Sequence, residues 1–164
     1  MILAPDTSTT PHITIRQAKL SDLDTIHDLI LAAGLSTERS AITATLEGCT
    51  YWMADLNGIP AGCIGLELGQ GASLLRSASV LPASRRRGLG RALVMSALTY
   101  ATLRGDKRLY LFSSGAGPFW EPFGFVPVSS AEVSAALPSA PQVLSGQSRG
   151  WIEREQAWKR VMGA

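Results

Sequence analysis

The sequence predicts an α/β (α+β) fold, in which one mixed, mostly antiparallel sheet of six to seven strands carries helices on both faces. The 164 residues are 46% hydrophobic and 17% charged, which is enough apolar material for one core and excludes a disordered chain. Strand-like apolar runs alternate with apolar stripes at helical spacing. We read the order as β-α-α-β-β-β-α-β-α-β up to residue 128.

The first elements are a strand and one or two helices. Residues 1–11 are rich in Thr and Pro, and we expect a flexible arm there. His12–Arg16 alternates in polarity and predicts a short strand. Ser21 opens a helix that Gly34 ends, and a shorter helix covers residues 38–46.

A three-stranded meander follows. The apolar runs Thr50–Leu56 and Ile59–Leu68 flank Asn57-Gly58, the dipeptide best suited to a two-residue type I′ hairpin turn. A third run, Ala72–Val80, follows a second turn that contains glycine. The three runs therefore predict neighbouring antiparallel strands.

The second half continues with helices and strands in turn. The predicted elements are a helix from Gly88 to Gly105, a strand at Arg108–Phe112, a short helix between Gly117 and Gly124, a strand at Phe125–Val128, a helix at Ser130–Leu137 and a strand at Gln142–Leu144. An amphipathic helix is expected around Trp151–Met162, with Trp151 and Trp158 on one face. We therefore expect a main domain at residues 12–148 and a helix at 149–164 that docks on it or on a partner subunit.

Composition excludes several classes of protein. The net charge is only +2, no stretch of 18 apolar residues occurs, and residues 1–11 lack a basic region followed by an apolar run. We expect a cytoplasmic protein that binds neither membrane nor nucleic acid, because the arginine cluster lacks interleaved aromatic residues. Cys49 and Cys63 lie in apolar surroundings and predict buried, reduced thiols. Two Cys and two His at no ligand spacing predict no metal site.

The stretch from Val80 to Leu93 predicts an anion site. A strand ends there, Pro82 turns the chain, and Gly88-Leu89-Gly90 opens a long helix whose first N–H groups are unpaired. Charge and forked donors are added by four arginines: Arg85, Arg86, Arg87 and Arg91. Neither a P-loop nor a Rossmann turn fits this spacing.

Arg85, Gly88 and Gly90 match the pattern Arg/Gln-x-x-Gly-x-Gly/Ala, which resembles the pyrophosphate-binding signature of the GNAT superfamily of N-acetyltransferases. The segment from Phe119 to Phe125 is similar to the Phe-Tyr-x-x-x-Gly-Phe segment of that family. The resemblance covers roughly residues 12–145. It implies the GNAT fold, with a sheet splayed between its fourth and fifth strands, and acetyl-CoA as the co-substrate.

A narrower resemblance concerns the arsenic-resistance branch of that superfamily. It rests on four segments: Leu66-Glu67, Leu74-Leu75-Arg76-Ser77, Leu109-Tyr110-Leu111 and Ala135-Ala136-Leu137. Members of that branch are similar to arsinothricin and phosphinothricin N-acetyltransferases, which acetylate the α-amino group of glutamate-like amino acids.

The family resemblance assigns the cofactor residues. Val80 and Leu81 would pair their backbone with the pantetheine amides, and an N–H near Val80 would face the acetyl oxygen as an oxyanion hole. Pyrophosphate would bind the loop formed by Arg85, Arg86, Arg87, Gly88, Leu89, Gly90 and Arg91. Phe119 would lie beneath the pantetheine arm.

Glu67 and Arg76 are the residues whose chemistry is open. The reaction needs an uncharged amine, so a base must remove a proton, and Glu67 is the candidate, either as that base or as a solvated charge at a strand end. Arg76 lies mid-strand, where it either pairs with Glu67 or clamps a substrate anion, unless a bulge displaces it to the surface. Ser77 would join the same anion if a bulge redirects the strand.

The general acid also stays open. Many members of the family place a Tyr in the short helix, where this chain has Trp120, whose indole N–H has no useful acidity. Ser114 or Ser113, at the end of the fifth strand, would instead hydrogen-bond the leaving thiolate. Tyr51 and Tyr110 are alternatives that also read as core residues.

The sequence therefore predicts direct acetyl transfer, within a ternary complex, to a small anionic amino acid or toxin analogue, which would confer resistance. Cys63 has no neighbour that would activate it as a nucleophile. The alternatives are a non-catalytic acyl-CoA sensor, or an acetyltransferase for a protein, lysine or polyamine amine. The oligomeric state is open, and a homodimer is compatible with the sequence.

Overall fold

The computed structural model describes residues 12–163, so the predicted arm at residues 1–11 lies outside the described residues. Seven strands form one sheet: β1 Ile13–Gln17, β2 Cys49–Leu56, β3 Ile59–Leu68, β4 Ala72–Val80, β5 Arg108–Phe112, β6 Val126–Val128 and β7 Ala157–Val161. Their spatial order is β1-β2-β3-β4-β5-β7-β6, and every neighbouring pair is antiparallel except the parallel pair β4/β5. The predicted mixed, mostly antiparallel sheet is confirmed.

Five α-helices pack on the two faces of this sheet: α1 Leu23–Ala32, α2 Leu89–Arg104, α3 Gly117–Trp120, α4 Ser130–Ala136 and α5 Pro141–Ser148. α2 and α3 cover one face, in a core that includes Ile64 and Leu109. α1 packs on the other face against Tyr51 and Cys63, and α4 and α5 cover its far end. Within residues 12–163, no helix combines the length and the apolar character that a membrane crossing requires.

The predicted hairpin between β2 and β3 is confirmed. The loop has two residues, Asn57 and Gly58, and both have positive φ, 53° and 82°. This is the backbone that a type I′ turn requires, and Asn and Gly adopt it at the lowest cost. Gly105 likewise ends α2 with φ 85°.

The sheet opens between β4 and β5, as expected. Their pairing runs from Ala72 opposite Arg108 to Leu75 opposite Leu111 and stops there, although β4 continues to Val80. Just past the last pair, the register of β3 with β4 shifts and Ser77 takes a φ of 57°, which marks a β-bulge. The bulged end of β4 therefore forms one wall of a cleft.

The C-terminal segment differs from the prediction. Residues 149–164 form no amphipathic helix in their described part: Ala157–Val161 is β7, which lies between β5 and β6. The two tryptophans do not share a helix face, because Trp151 packs edge-on against Phe112 and the indole N–H of Trp158 donates to the Ser113 carbonyl at 2.8 Å. The helix was predicted because Trp151 and Trp158 are seven residues apart, a spacing that also places two residues on one face of a helix.

Two smaller predictions are also wrong. The expected strand at Gln142–Leu144 is part of α5, which Pro141 opens at its first turn. In place of the helix expected at residues 38–46, the structure has one 3₁₀ turn, Arg39–Ala41. Cys49 and Cys63 are free and buried, as predicted.

Candidate active site

A cavity of about 1040 Å³ fills the opening between β4 and β5. Four main segments line it: the chain after α1, the β4 end with the following loop, the β5 end with α3, and α5 with its connection to β7. We call this cavity the cleft. Its anion-loop end is formed by Ser84, Arg85, Arg86, Gly88, Leu89, Gly90 and Arg91. The opposite end, which we call the acceptor end after the predicted amine acceptor, is formed by Arg76, Ser77, Gln142, Ser145, Arg149, Trp151 and Glu155.

The anion-loop end has the backbone geometry that the motif predicts. Gly88 is the N-cap of α2 with φ 84°, and Arg86 before it also has positive φ, 65°. A Cβ at Gly88 would meet nothing within 4 Å, and one at Gly90 would lie 3.6 Å from the Phe119 ring. The first amides of a 16-residue helix thus face the cleft with no side chain over them, which fits a pyrophosphate.

The predicted cofactor residues divide into two groups. Most line the cleft, namely Val80, Arg85, Arg86, Gly88, Leu89, Gly90, Arg91 and Phe119. Leu81 and Arg87 do not, since Leu81 packs on the core beside α1 and Arg87 is exposed outside the cleft. The Leu81 N–H donates to Ala61 O at 2.8 Å, and Arg85 Nε donates to Val80 O at 3.2 Å.

The aromatic residues of α3 support the cleft. Phe119 is 41% exposed and meets Trp120 edge-on with ring centroids 4.7 Å apart. Trp120 is buried and also packs on Phe125. Trp120 therefore serves as a wall of the cleft, and no Tyr of residues 12–163 lines the cleft to act as an acid.

Arg76 and Glu67 form a buried ion pair at the acceptor end. Arg76 Nη1 donates to Glu67 Oε2 at 2.6 Å, and the side chains are 7% and 1% exposed. Glu67 Oε1 accepts from the Gln142 N–H at 3.0 Å. Burial alone lowers the pKa of Arg76, but Tyr51 and Glu67 raise it above its usual value, so the guanidinium stays charged.

Glu67 therefore differs from both of its predicted surroundings. The sequence predicts either a solvated charge at a strand end or a base with open space between small neighbours. Instead, Glu67 is buried, and the Tyr51 ring fills the space next to Gly65 on the same face of β3. Both carboxylate oxygens are engaged, and Glu67 does not line the cleft. Its role as a base stays a prediction that this geometry does not favour.

Arg76 and Ser77 do line the cleft. Arg76 Nη2 donates to Thr43 Oγ1 at 2.9 Å and Nε to Ser77 Oγ at 3.1 Å. The bulge redirects Ser77, whose hydroxyl lies 3.1 Å from the Tyr51 hydroxyl. A guanidinium has five N–H donors, so two of them stay available after these bonds.

The other nucleophile and acid candidates are buried. Burial raises the pKa of the Cys63 thiol to about 12 and that of Cys49 to about 11. Burial also raises the pKa of Tyr51, and that of Tyr110 to about 12, where its hydroxyl donates to Glu132 at 2.8 Å. None of these four side chains lines the cleft.

Ser114 lines the cleft at the end of β5, as the sequence predicts, and has a partner that the sequence did not reveal. Its hydroxyl donates to Glu155 Oε2 at 2.8 Å and accepts from the Gln156 N–H at 3.2 Å. Glu155 and Arg149 reach the cleft from the connection between α5 and β7, and Gln142 reaches it from the first turn of α5. This part of the chain was predicted as strand and helix, so no sequence signal placed these side chains at the site.

The acceptor end has free polar groups. Arg149 makes no ion pair or side-chain hydrogen bond within residues 12–163, and Gln142 Oε1 is buried there without a partner. The same part of the chain has no group of three His, Cys, Asp or Glu side chains suited to a metal.

Solved structures share this fold at low sequence identity. N-acetylglutamate synthase from Neisseria gonorrhoeae, complexed with coenzyme A and N-acetyl-glutamate, matches with 20% identity and a TM-score of 0.71 over 93% of this chain, which spans only 36% of that one. A Mycobacterium tuberculosis protein solved with CoA matches with 20% identity and a TM-score of 0.72, over 92% of this chain and 99% of its own. A GNAT acetyltransferase from Brucella melitensis in complex with acetyl-CoA matches with 23% identity and a TM-score of 0.61, over 70% and 83%.

No curated protein sequence matches the chain. The sequence model of the acetyltransferase (GNAT) family matches residues 21–125, which is more than half of the 164 residues. This chain therefore belongs to the acetyltransferase (GNAT) family.

Proposed function

We propose that this acetyltransferase moves the acetyl group of acetyl-CoA to the α-amino group of a small anionic amino acid or toxin analogue. Arsinothricin and phosphinothricin are the model acceptors, and their acetylation would confer resistance. One observation carries the proposal: the charged side chains of the cleft, within the described chain, are five arginines and one glutamate. A cleft of this charge favours two anionic ligands and disfavours a polycation.

The anion-loop end accounts for three of these arginines. Arg85, Arg86 and Arg91 surround the open amides at Gly88 and Gly90, as a pyrophosphate requires. The pantetheine arm would then lie along Val80. Because Arg85 Nε holds the Val80 carbonyl in this structure, we expect that hydrogen bond to exchange for one with the cofactor.

The acceptor end has the other two arginines. Arg76 keeps two free N–H donors, and Arg149 has no partner within residues 12–163. We propose that they bind the carboxylate and the arsonyl or phosphinyl end of the acceptor, with the Ser77 hydroxyl beside them. Glu67 fixes the guanidinium of Arg76, which makes Glu67 a positioning residue in this proposal.

Two further observations support this assignment. The N-acetylglutamate synthase structures, of which this chain spans about a third, were solved with N-acetyl-glutamate or L-arginine, both amino-acid compounds. The raised pKa of Cys63, about 12, leaves no thiolate for an acetyl-enzyme at neutral pH, so direct transfer is the proposed route. Cytoplasmic location and a homodimer stay predictions.

The alternatives make different demands on the cleft. A polyamine or lysine acceptor needs acidic side chains at the acceptor end, and Glu155 is the one that lies there within residues 12–163. An acyl-CoA sensor needs the loop but no acceptor groups, whereas Arg149 and the unpaired Gln142 Oε1 provide such groups.

A thiol-release assay with acetyl-CoA tests the proposal. The amines are phosphinothricin, arsinothricin, methionine sulfoximine, glutamate, spermidine and a peptide. Arg149→Ala should raise the KM of a glutamate-like acceptor about tenfold, the effect of losing a charge-assisted hydrogen bond, and leave the KM of acetyl-CoA unchanged. Arg154→Ala, an exposed arginine outside the cleft, is the matched control.

The outcomes separate the candidate functions. Turnover confined to glutamate-like compounds, with the expected split between the two KM values, supports the proposal. Turnover of spermidine or the peptide, unaffected by Arg149→Ala, would replace the acceptor but keep the enzyme class. Tight acetyl-CoA binding with no turnover of any amine would favour the sensor.

A further inference from the structure

We infer that Glu155 is the catalytic base of the transfer and that Ser114 passes a proton from it to the leaving thiolate. This inference rests on the proposed function, because it needs an amine acceptor in the cleft. It replaces Glu67 as the predicted base with a residue from the connection between α5 and β7.

Glu155 is the one side chain of the cleft suited to accept a proton. Within residues 12–163, the other ionisable side chains that line the cleft are Arg76, Arg85, Arg86, Arg91 and Arg149. All of these are permanent cations. No His, Lys, Asp, Tyr or Cys of the described chain lines the cleft. A base that contacts the amine directly is therefore Glu155.

Glu67 could act as the base only by giving up its present hydrogen bonds. Its two oxygens are bound by Arg76 at 2.6 Å and by the Gln142 N–H at 3.0 Å, and it is 1% exposed. Removing it from these donors would leave a buried cation unpaired. Glu155 has one hydrogen bond, from a hydroxyl, and faces the cleft.

The backbone holds Glu155 and Ser114 together. The Ser113 N–H donates to Gln156 O at 2.8 Å, and the Gln156 N–H donates back to Ser114 Oγ at 3.2 Å. The Trp158 indole fixes the Ser113 carbonyl at 2.8 Å. These bonds join the end of β5, where the sheet opens, to the chain that enters β7, so the serine and the carboxylate form one fixed unit.

The proton transfers balance through these two side chains. The acceptor enters as an ammonium and loses two protons in all. Glu155 takes the first, which passes to water, and the free amine then attacks the acetyl carbonyl. As the C–N bond forms and the C–S bond breaks, Glu155 takes the second proton. Glu155 then gives this second proton to Ser114 Oγ, and the original hydroxyl proton of Ser114 moves to the thiolate sulfur. The products are the amide and the thiol of CoA.

Glu155→Gln is the decisive variant, because the amide oxygen can still accept the Ser114 hydroxyl and keep the connection in place. Loss of a general base lowers kcat by about 10² to 10³-fold. The KM of acetyl-CoA and its dissociation constant, measured by calorimetry, should not change. The decrease should therefore lie in kcat alone, whereas loss of a structural contact would also weaken the binding of acetyl-CoA.

Two controls separate a base from a structural contact. Glu153→Gln removes an exposed carboxylate two residues away and should keep wild-type kcat and pH profile. Ser114→Ala should lower kcat by less than Glu155→Gln. A carboxylate ¹³C signal, assigned by its absence in Glu155→Gln, should shift when the acceptor is added.

The failures are distinguishable. Wild-type kcat in Glu155→Gln, or a lowered kcat accompanied by a higher dissociation constant of acetyl-CoA, overturns the assignment of the base while the proposed function stands. No turnover of any amine by the wild-type protein overturns the proposed function, and the base with it.

Discussion

Charged side chains occupy two contrasting regions of this protein, the layer beneath the cleft floor and the cleft wall. Glu67 lies beneath the floor with both carboxylate oxygens hydrogen-bonded, and its ion-pair partner Arg76, which lines the cleft, is hydrogen-bonded to three side chains. On the wall, Arg86, Arg91 and Arg149 make no ion pair within residues 12–163. The Glu67 carboxylate is satisfied from within the fold, whereas Arg76 keeps two N–H donors toward the cleft and the wall arginines have donors for ligands.

The contrast teaches how to assign roles to charges. A buried ion whose hydrogen bonds are all made by the protein acts on stability and orientation, because moving it is costly. An open charge with no partner contributes little to folding and keeps its binding capacity. Mutations should therefore affect stability in one region and ligand binding in the other.

Glu67→Ala should cause the largest effect on stability. It leaves the Arg76 charge, 7% exposed, without its carboxylate and removes the acceptor of the Gln142 N–H. Breaking one side of a buried pair costs about 3 to 5 kcal/mol. Urea denaturation should show that decrease in the free energy of unfolding.

A surface pair provides the control for Glu67→Ala. Asp28 pairs with Arg39 at a site where the side chains are 66% and 46% exposed, so Asp28→Ala should leave the free energy of unfolding nearly unchanged. Equal losses for Glu67→Ala and Asp28→Ala would remove the distinction between the two regions.

Arg86→Ala tests the cleft wall. Arg86 is exposed and lines the anion-loop end, so its loss should leave the unfolding free energy nearly unchanged. One charge-assisted hydrogen bond to a phosphate corresponds to about a tenfold rise in the KM of acetyl-CoA. Steady-state kinetics at low salt measures this rise, and it should shrink at high ionic strength.

Arg87→Ala sharpens the same test. Arg87 belongs to the motif but lies outside the cleft, so we expect a smaller rise in the KM of acetyl-CoA, under about threefold, from its long-range charge alone. A rise equal to that of Arg86→Ala would show that the bound loop differs from this conformation.

Sequence reasoning succeeded where the signal was local. The Asn57-Gly58 turn, the end of α2 at Gly105 and the loop at Gly88 each depend on one or two residues whose backbone preferences are strong. The opening of the sheet between β4 and β5 also followed, from the family resemblance that Arg85, Gly88 and Gly90 carry. These elements position the anion-loop end of the cleft.

Sequence reasoning failed where contacts are distant in the chain. β7 pairs with β5 across about 50 residues, and the Trp151 and Trp158 spacing fits a helix as well as it fits two separate packing sites. Placing Glu155 beside Ser114 requires that pairing to be known. The residues that reach the acceptor end from the chain between α5 and β7 therefore could not be predicted from the sequence, whereas the cofactor loop could.

Substitution of Cys63, a buried residue beneath the cleft floor, should cause the smallest effect on activity among these variants. It is fully buried, and burial raises the pKa of its thiol to about 12, so the thiol is protonated throughout the working range of pH. Because burial disfavours only the thiolate, the folded state has its full stability below the pKa of the unfolded thiol, about 8.5, and loses stability as the pH rises from there toward 12.

Cys63→Ala should keep kcat within about twofold of the wild type, since no step uses the thiol, and should cost about 1 kcal/mol through the small cavity it leaves. Iodoacetamide should leave the native protein unmodified at pH 8 and alkylate both buried cysteines after unfolding in urea. Mass spectrometry during turnover should find no acetylated cysteine. An acetyl group on Cys63, or double-displacement kinetics that Cys63→Ala abolishes, would show that a buried residue takes part in the reaction. That result would contradict the assignment of stability to the buried groups and of ligand binding to the cleft wall.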